Sequence, residues 1–304
     1  MERDLFPGFA SRRLLADGAE VFVRIGGSGP AVLLVHGYPQ TNASWHRIAP
    51  LLAEDHTVVA CDLPGYGASG MPRPLPDSAE FAKRAMALTL VGAMEQLGFS
   101  RFAIVGHDRG ARVAYRLALD HPQRVTALAV ISIVPTFAMW SLLESNEYAM
   151  KGFRWFLLAQ PNPFPERLLK CAGVQYLYDT LSGWTKAKDL SAFDPRALAA
   201  YEDAYSLDST IAASCGDYRA GWTVDRLHDH ADLESNTTIS APTIVIWGSA
   251  EFPDPEQVMG AWREIAPQAA AYPLDCGHFA PEEAPGEVLT ALRELLQLAA
   301  VRPY

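Results

Sequence analysis

Short, mainly apolar runs recur along the chain and alternate with segments that have a helical spacing of apolar positions. Runs of this kind are typical of strands that are buried on both faces. They occupy residues 31–35, 57–61, 102–105, 128–133, 242–247 and 269–274. Two further strands are expected within 12–25, where Asp17-Gly18 is a strong hairpin dipeptide. Because strands alternate with helical segments such as 79–97 and 285–299, the pattern predicts an α/β fold with a mostly parallel sheet.

The pattern changes between residues 136 and 232, where helical segments rich in aromatic residues follow one another without strand-like alternation. Strands resume only at residue 242. We therefore expect residues 1–134 and 233–304 to form one α/β core, with residues 135–232 inserted after the sixth strand as a helical cap. Such a cap, or lid, would cover the carboxyl ends of the strands, where open α/β sheets bind ligands.

The central motif is Gly106-His107-Asp108-Arg109-Gly110, which lies between the apolar run 102–105 and a helical segment, 111–119. A strand, a sharp turn flanked by glycines and a helix make up a nucleophile elbow, here with aspartate in place of the usual serine. The glycines fit because a Cβ atom at either flank would clash in so strained a turn. The alternative is that Asp108 is an ordinary N-cap of the following helix.

A nucleophile elbow needs an acid and then a histidine later in the chain. His278 follows the last predicted strand, as this order demands. For the acid we favour Glu251, in the loop after the seventh strand, while Asp254 and Asp275 are nearby alternatives.

A carboxylate at the elbow changes the chemistry, because it suits displacement at a saturated carbon and gives an alkyl-enzyme ester. His278 would then deprotonate a water molecule that attacks the carbonyl group of this ester on Asp108. We expect the backbone N–H groups of Arg109 and Tyr38 to stabilise the resulting oxyanion.

Two arginines, Arg109 and Arg112, follow the predicted nucleophile three positions apart and share one helix face. Their charges would keep Asp108 ionised. They would also hold a substrate carboxylate through paired hydrogen bonds, so we expect a small anionic substrate. The alternative is a pair of solvated surface arginines.

Composition limits the classes of partner that the protein is expected to bind. The net charge of −10 argues against nucleic acid and against an anionic membrane surface. The four cysteines lack metal-site spacing, and we expect reduced thiols in a cytoplasmic protein. The longest apolar stretch, 126–143, is too interrupted for a membrane span, and the first residues lack a signal-peptide pattern.

Four motifs together resemble the fluoroacetate (haloacetate) dehalogenases of the α/β-hydrolase fold, over nearly the whole chain. They are Leu5-Phe6-Pro7-Gly8-Phe9, His36-Gly37-Tyr38-Pro39, Gly106-His107-Asp108-Arg109-Gly110-Ala111-Arg112 and Asp217-Tyr218-Arg219-Ala220-Gly221. The resemblance implies a hydrolytic dehalogenase of short 2-haloacids with Asp108 as the nucleophile. It also implies that two arginines bind the substrate carboxylate, and that the protein is a homodimer with no cofactor and no metal. By position, Trp155 and Tyr218 match the residues that hold the departing halide in this family.

Two positions depart from the family pattern. The family's lid histidine corresponds to Arg154, which could bind the halide, contact a second polar group of a larger substrate, or face solvent. The family's acid corresponds to Ser132, so we expect Glu251 to take its place, as in haloalkane dehalogenases and epoxide hydrolases. An epoxide hydrolase with the same Asp, His and acid is the alternative function, and a non-enzymatic receptor for a small acid is a third.

Overall fold

The computed structural model describes residues 4–301, which contain one eight-stranded sheet. Its strands are β1 (Ala10–Ala16), β2 (Ala19–Gly27), β3 (Ala31–Val35), β4 (Thr57–Cys61), β5 (Phe102–His107), β6 (Val125–Ile131), β7 (Thr243–Gly248) and β8 (Ala270–Leu274). Their spatial order is β1-β2-β4-β3-β5-β6-β7-β8. The first two pairs are antiparallel and all the others are parallel, which confirms the predicted fold class.

The predicted hairpin between β1 and β2 is present. Asp17 and Gly18 have φ values of 46° and 77°, the left-handed conformation that a tight hairpin turn requires. The turn places Ala16 opposite Ala19 and sets the register of both strands.

The helices are α1 (Ala49–Leu52), α2 (Lys83–Gln96), α3 (Arg109–Asp120), α4 (Thr136–Leu142), α5 (Asn146–Lys151), α6 (Phe153–Leu158), α7 (Phe164–Ala172), α8 (Val174–Trp184), α9 (Pro195–Tyr205), α10 (Asp208–Glu234), α11 (Pro255–Arg263), α12 (Ala280–Glu283) and α13 (Pro285–Val301). The helix predicted over 79–97 is wrong at its start, because α2 begins only at Lys83. Residues Pro76–Phe81 form a 3₁₀ segment instead. Ala82 separates this segment from α2 with φ −59° and ψ 142°, a conformation that a continuous α-helix does not allow.

The sheet is covered on both faces. Adjacent residues of β3 alternate between two apolar clusters, with Leu33 and Val35 in one and Val32 and Leu34 in the other. The first cluster includes apolar residues of α2 and α3, and the second includes those of α1 and α13. Each fully buried side chain of this size contributes about 1.5–3 kcal/mol, so the parallel strands are stable only between two helical layers.

Helices α4 to α10 lie in the connection between β6 and β7, where the sequence predicts a cap. The long helix α10 packs against α4, α6, α7 and α9 and also against α2. The division into a core and a cap at residues 134 and 232 stays a prediction. Among residues 4–301, no helix is both long and apolar enough to cross a membrane.

Candidate active site

The turn between β5 and α3 has the geometry of a nucleophile elbow. Asp108 has φ 45° and ψ −113°, a conformation that is unfavourable for a residue with a side chain. A Cβ atom on Gly106 would lie 2.5 Å from the Cα of Ala111, and one on Gly110 would lie 2.3 Å from the carbonyl oxygen of His36. The glycines are therefore required for close approach, as the sequence predicts. The Asp108 side chain makes no capping hydrogen bond to α3, which argues against the N-cap alternative.

The two oxygens of the Asp108 carboxylate have different surroundings. Oδ1 accepts a hydrogen bond from the backbone N–H of Tyr38 at 2.9 Å. Oδ2 lies 3.8 Å from Nε2 of His278, too far for a direct hydrogen bond. Burial on its own would raise the pKa of Asp108, but the neighbouring charges of His278 and Arg109 outweigh it and lower that pKa. The buried carboxylate is therefore ionised at neutral pH.

The acid that contacts His278 is Glu251. Its Oε1 lies 2.8 Å from Nδ1 of His278. The two alternative acids make other contacts. Asp254 caps α11 by accepting from the N–H of Glu256, and Asp275 pairs with Lys186 at the surface. The structure thus brings together the three residues Asp108, Glu251 and His278, which the sequence analysis favoured.

His278 is held from several sides. Its backbone N–H donates to the carbonyl oxygen of Trp184 at 2.9 Å, and the Trp184 ring meets its imidazole edge-on at 4.8 Å. Burial alone would lower the pKa of His278, but the charge and hydrogen bond of Glu251 raise it. Nε2 has no hydrogen-bond partner, which leaves this nitrogen free to act toward a substrate or a water molecule.

Ser132 directly follows β6, at the position that corresponds to the acid of the fluoroacetate dehalogenases. Its Oγ is buried without a hydrogen-bond partner, and its backbone adopts φ 57°. A hydroxyl without a contact to His278 does not orient that imidazole, whereas Glu251 does.

Arg109 and Arg112 on α3 are both buried, so the alternative of two solvated surface arginines is wrong. Arg109 donates through Nε at 3.0 Å and through Nη2 at 2.5 Å to the carboxylate of Asp217, and only its Nη1 lacks a partner. Arg112 donates through Nη1 to Val134 and Thr136, while its Nε has no partner. Each guanidinium thus keeps unpaired donors, and the two-arginine clamp stays a prediction.

A buried ionic network fixes Arg109, and sequence reasoning missed it. The carboxylate of Asp217 on α10 also accepts from Nζ of Lys83 and from the hydroxyl of Tyr66. Burial opposes the charge on Asp217, but the charges of Arg109 and Lys83 outweigh it and lower the pKa of this residue. Asp217 belongs to one of the four motifs, but the motif does not indicate its partners. From the sequence alone Lys83, at the start of α2, would be expected at the surface, and it is buried because α10 packs against that helix.

A cavity of about 350 Å³ opens beside the elbow, and we call it the central cavity. Its lining includes Asp108, Arg112, Arg154, Trp155, Tyr218 and His278. Arg154 is only 8% exposed, so of its three alternatives the one in which it faces solvent is wrong. The Trp155 and Tyr218 rings meet edge-on at 5.5 Å, and Arg109 lies 4.2 Å from the centre of the Tyr218 ring. Tyr38 contributes its backbone N–H, while its hydroxyl lies 3.4 Å from that of Tyr205.

Within residues 4–301, no group of three or more His, Cys, Asp or Glu side chains is arranged to hold a metal ion.

Comparisons with known proteins agree with this geometry. The family model of the α/β hydrolase fold matches residues 30–285. A fluoroacetate dehalogenase from Burkholderia is 40% identical, with 96% of this chain and 95% of the relative covered. A soluble epoxide hydrolase from Corynebacterium is 29% identical, with 88% and 90% covered. A solved structure from Nostoc, provisionally assigned as an α/β hydrolase, is 44% identical with a TM-score of 0.91, and the match covers 95% of this chain and 98% of that one.

Proposed function

The chain belongs to the α/β-hydrolase family and, within it, to the family of the fluoroacetate dehalogenases, and we propose that it hydrolyses the carbon–halogen bond of short 2-haloacids. The observation that carries the proposal is the ionised carboxylate of Asp108 at the elbow, beside a cavity that Arg112 and His278 also line. A carboxylate is a suitable nucleophile for a saturated carbon, whereas the serine that is more usual at an elbow attacks carbonyl carbons.

In the first step, Oδ2 of Asp108 attacks the carbon that carries the halogen. A C–O bond forms, the carbon–halogen bond breaks, and the halide leaves with the electron pair. The Tyr38 N–H holds Oδ1 and thereby directs Oδ2 toward the cavity. Burial and the neighbouring Arg109 lower the pKa of Arg112, so a substrate carboxylate beside Arg112 would stabilise its cationic form.

The departing halide requires donors on the far side of the carbon from Asp108. The indole N–H of Trp155 and the hydroxyl of Tyr218 are suitable donors, and both residues line the central cavity. Burial raises the pKa of Tyr218 well above its usual value, so this side chain stays protonated and can donate.

In the second step, His278 removes a proton from a water molecule, which attacks the Cγ atom of Asp108. The 3.8 Å between Nε2 and Oδ2 excludes a direct hydrogen bond and fits a base that acts through water. Oδ1 becomes the oxyanion, and the Tyr38 N–H that already contacts it stabilises the charge. Glu251 stabilises the imidazolium that forms. The Cγ–Oδ2 bond then breaks, the departing alkoxide takes the proton held by His278, and the 2-hydroxy acid is released.

An epoxide hydrolase is the second candidate, because that reaction needs phenols that protonate the epoxide oxygen. Tyr218 and Tyr148 both line the central cavity, although the hydroxyl of Tyr148 donates to Gln257. The stronger identity to a dehalogenase and the buried Arg112 favour the haloacid.

We also infer that the protein is a homodimer in the cytoplasm. Large apolar side chains are exposed on α6 and α10, where Phe156 and Trp222 both contact Trp140, and such a patch is suited to a second copy. The four cysteines are unpaired, which fits a reducing compartment. Sedimentation equilibrium measures the first inference directly, and a monomer would contradict it.

The deciding experiment measures halide release and diol formation by the pure protein. We expect chloride from chloroacetate and no diol from simple epoxides. Diol formation without halide release would establish the epoxide hydrolase, and binding of an acid with neither product would establish a receptor.

A further inference from the structure

The central cavity is larger than a haloacetate requires. Such a molecule has five non-hydrogen atoms, and at about 30 Å³ each, the volume of a water molecule in the liquid, it fills roughly 150 Å³. The cavity measures about 350 Å³. More than half of it would therefore stay empty of substrate, which is enough room for a second functional group.

The charges around the cavity indicate the nature of that group. Four cationic side chains line it, against two carboxylates. The cations are Arg112, Lys151, Arg154 and Lys188, and the carboxylates are Asp108 and Glu251. Lys151 is largely exposed and pairs with Glu147, so it lies at the mouth. Glu147 compensates its charge. Among residues 4–301, the two buried arginines of the lining, Arg112 and Arg154, form no ion pair with a carboxylate, so the lining can hold two carboxylate groups.

The two arginines lie against different walls. Arg112 lies 4.6 Å from the centre of the Trp155 ring. Arg154 lies instead at 4.7 Å from the Phe153 ring and at 4.8 Å from the Trp184 ring, which in turn contacts the imidazole of His278. One substrate molecule could therefore meet both guanidinium groups with its two ends.

Arg154 is a buried cation without a compensating carboxylate. Its Nε has no hydrogen-bond partner, and within residues 4–301 no Asp or Glu forms an ion pair with it. Contact with aromatic faces stabilises a guanidinium only in part, and an uncompensated buried charge is destabilising. A planar carboxylate matches the paired donors of a guanidinium better than a single halide ion does.

We propose that the protein acts on 2-halo acids that carry a second carboxylate, with Arg154 as the binding residue for that distal group. The inference rests on the proposed dehalogenase function and names its substrate class. Arg112 binds the carboxylate next to the halogen, Asp108 displaces the halide, and Arg154 receives the distal carboxylate. The products are a 2-hydroxy dicarboxylate, a halide ion and a proton, with the hydroxyl oxygen coming from Asp108 and replaced there by water.

The test compares three acids: chloroacetate, 2-chlorosuccinate, and 2-chloro-4-methylpentanoate. The last replaces the distal carboxylate by a group of equal heavy-atom count without charge, so it separates size from charge. Both enantiomers of the two chiral acids are used. We expect kcat/KM for 2-chlorosuccinate to exceed that for 2-chloro-4-methylpentanoate by about 10-fold or more, as for a charge-assisted hydrogen bond.

Variants of Arg154 test whether this residue causes the preference for 2-chlorosuccinate. Arg154→Met should lower the ratio of kcat/KM for 2-chlorosuccinate to kcat/KM for 2-chloro-4-methylpentanoate by about 10-fold or more. Arg154→Lys keeps the charge but loses the paired donors of the guanidinium, so it should lower this ratio less. The matched control is Arg226→Met, because Arg226 also stacks on a tryptophan, at 3.7 Å from the Trp222 ring, but does not line the cavity. The control should leave the ratio unchanged and shows whether the loss of a stacked arginine by itself matters.

The outcomes separate the two proposals. Turnover of chloroacetate without a preference for 2-chlorosuccinate would refute the distal carboxylate site and leave the dehalogenase function intact. An equal loss of activity on all acids in Arg154→Met would assign Arg154 to the halide or to folding and also overturn the site. If the wild-type protein releases chloride from none of the three acids, the dehalogenase function itself fails.

Discussion

Replacement of Glu251 by glutamine tests the central contact of the candidate active site. Glutamine is nearly isosteric, and it keeps a carbonyl oxygen that can accept from Nδ1 of His278, but it removes the charge. In the structure the contact measures 2.8 Å, and Glu251 raises the pKa of His278. The change therefore removes the stabilisation of the imidazolium and leaves the side chain in place.

The size of the effect follows from that single contact. A hydrogen bond between charged partners contributes about 1.5–3 kcal/mol, a factor of roughly 10 to 150 in rate. The Glu251 side chain is 27% exposed, so solvent screens part of its charge. We expect hydrolysis of the Asp108 ester in Glu251→Gln to slow by about 10- to 100-fold.

The two steps of the reaction respond differently, and this provides the assay. The attack by Asp108 does not use His278, so rapid-quench measurement should show a burst of one halide per active site, followed by slow steady-state release. The acidic limb of the hydrolysis rate should also move to lower pH. Glu251 raises the pKa of His278, so without it the imidazole loses its proton at a lower pH and the neutral base persists there.

Two control variants are available in the same region. Asp275→Asn removes a surface carboxylate that pairs with Lys186, and Asp254→Asn changes the cap of α11. Both should keep the wild-type rate of ester hydrolysis. An unchanged hydrolysis rate in Glu251→Gln, or a loss of the burst itself, would refute the assignment of Glu251 as the acid of this site.

Three further predictions follow from the same structure. In a single turnover in heavy-oxygen water, mass spectrometry should find the label on Asp108 and not in the first 2-hydroxy acid, and label in that first product would exclude an ester intermediate. In His278→Ala, intact-mass spectrometry should show an ester that accumulates with haloacid, since only the water-activating base is lost, and persistently unmodified protein would contradict this role. In Asp217→Asn, the buried Arg109 loses its carboxylate partner, so the free energy of unfolding should fall by about 3–5 kcal/mol, as measured by calorimetry. The control is Asp208→Asn, which breaks the exposed ion pair with Lys170 and should change that free energy by less than about 1 kcal/mol.

The sequence by itself determined the features that depend on local chain geometry. The apolar runs predicted the parallel strands, because a strand buried on both faces has no polar positions to alternate with. The elbow followed from Gly106, Asp108 and Gly110, since the turn has no room for a Cβ atom at its flanks. The position of His278 after the last strand followed from the chain order of the elbow enzymes. One local prediction failed, at the start of α2, where the extended ψ of Ala82 separates a 3₁₀ segment from the helix.

Only the tertiary structure decided which side chains meet across long sequence separations. Glu251, Asp254 and Asp275 all lie between Asp108 and His278 in the sequence, as the chain order of the elbow enzymes requires. Only the folded loop brings Glu251 to within 2.8 Å of His278. Asp217, the ion-pair partner of Arg109, lies on α10, 108 residues away in the sequence. No periodic pattern in the sequence predicts a contact over that separation. The volume of the cavity and the burial of Arg154 depend in the same way on how the helices between β6 and β7 pack over the sheet, because packing between distant segments is a property of shape that no local pattern encodes.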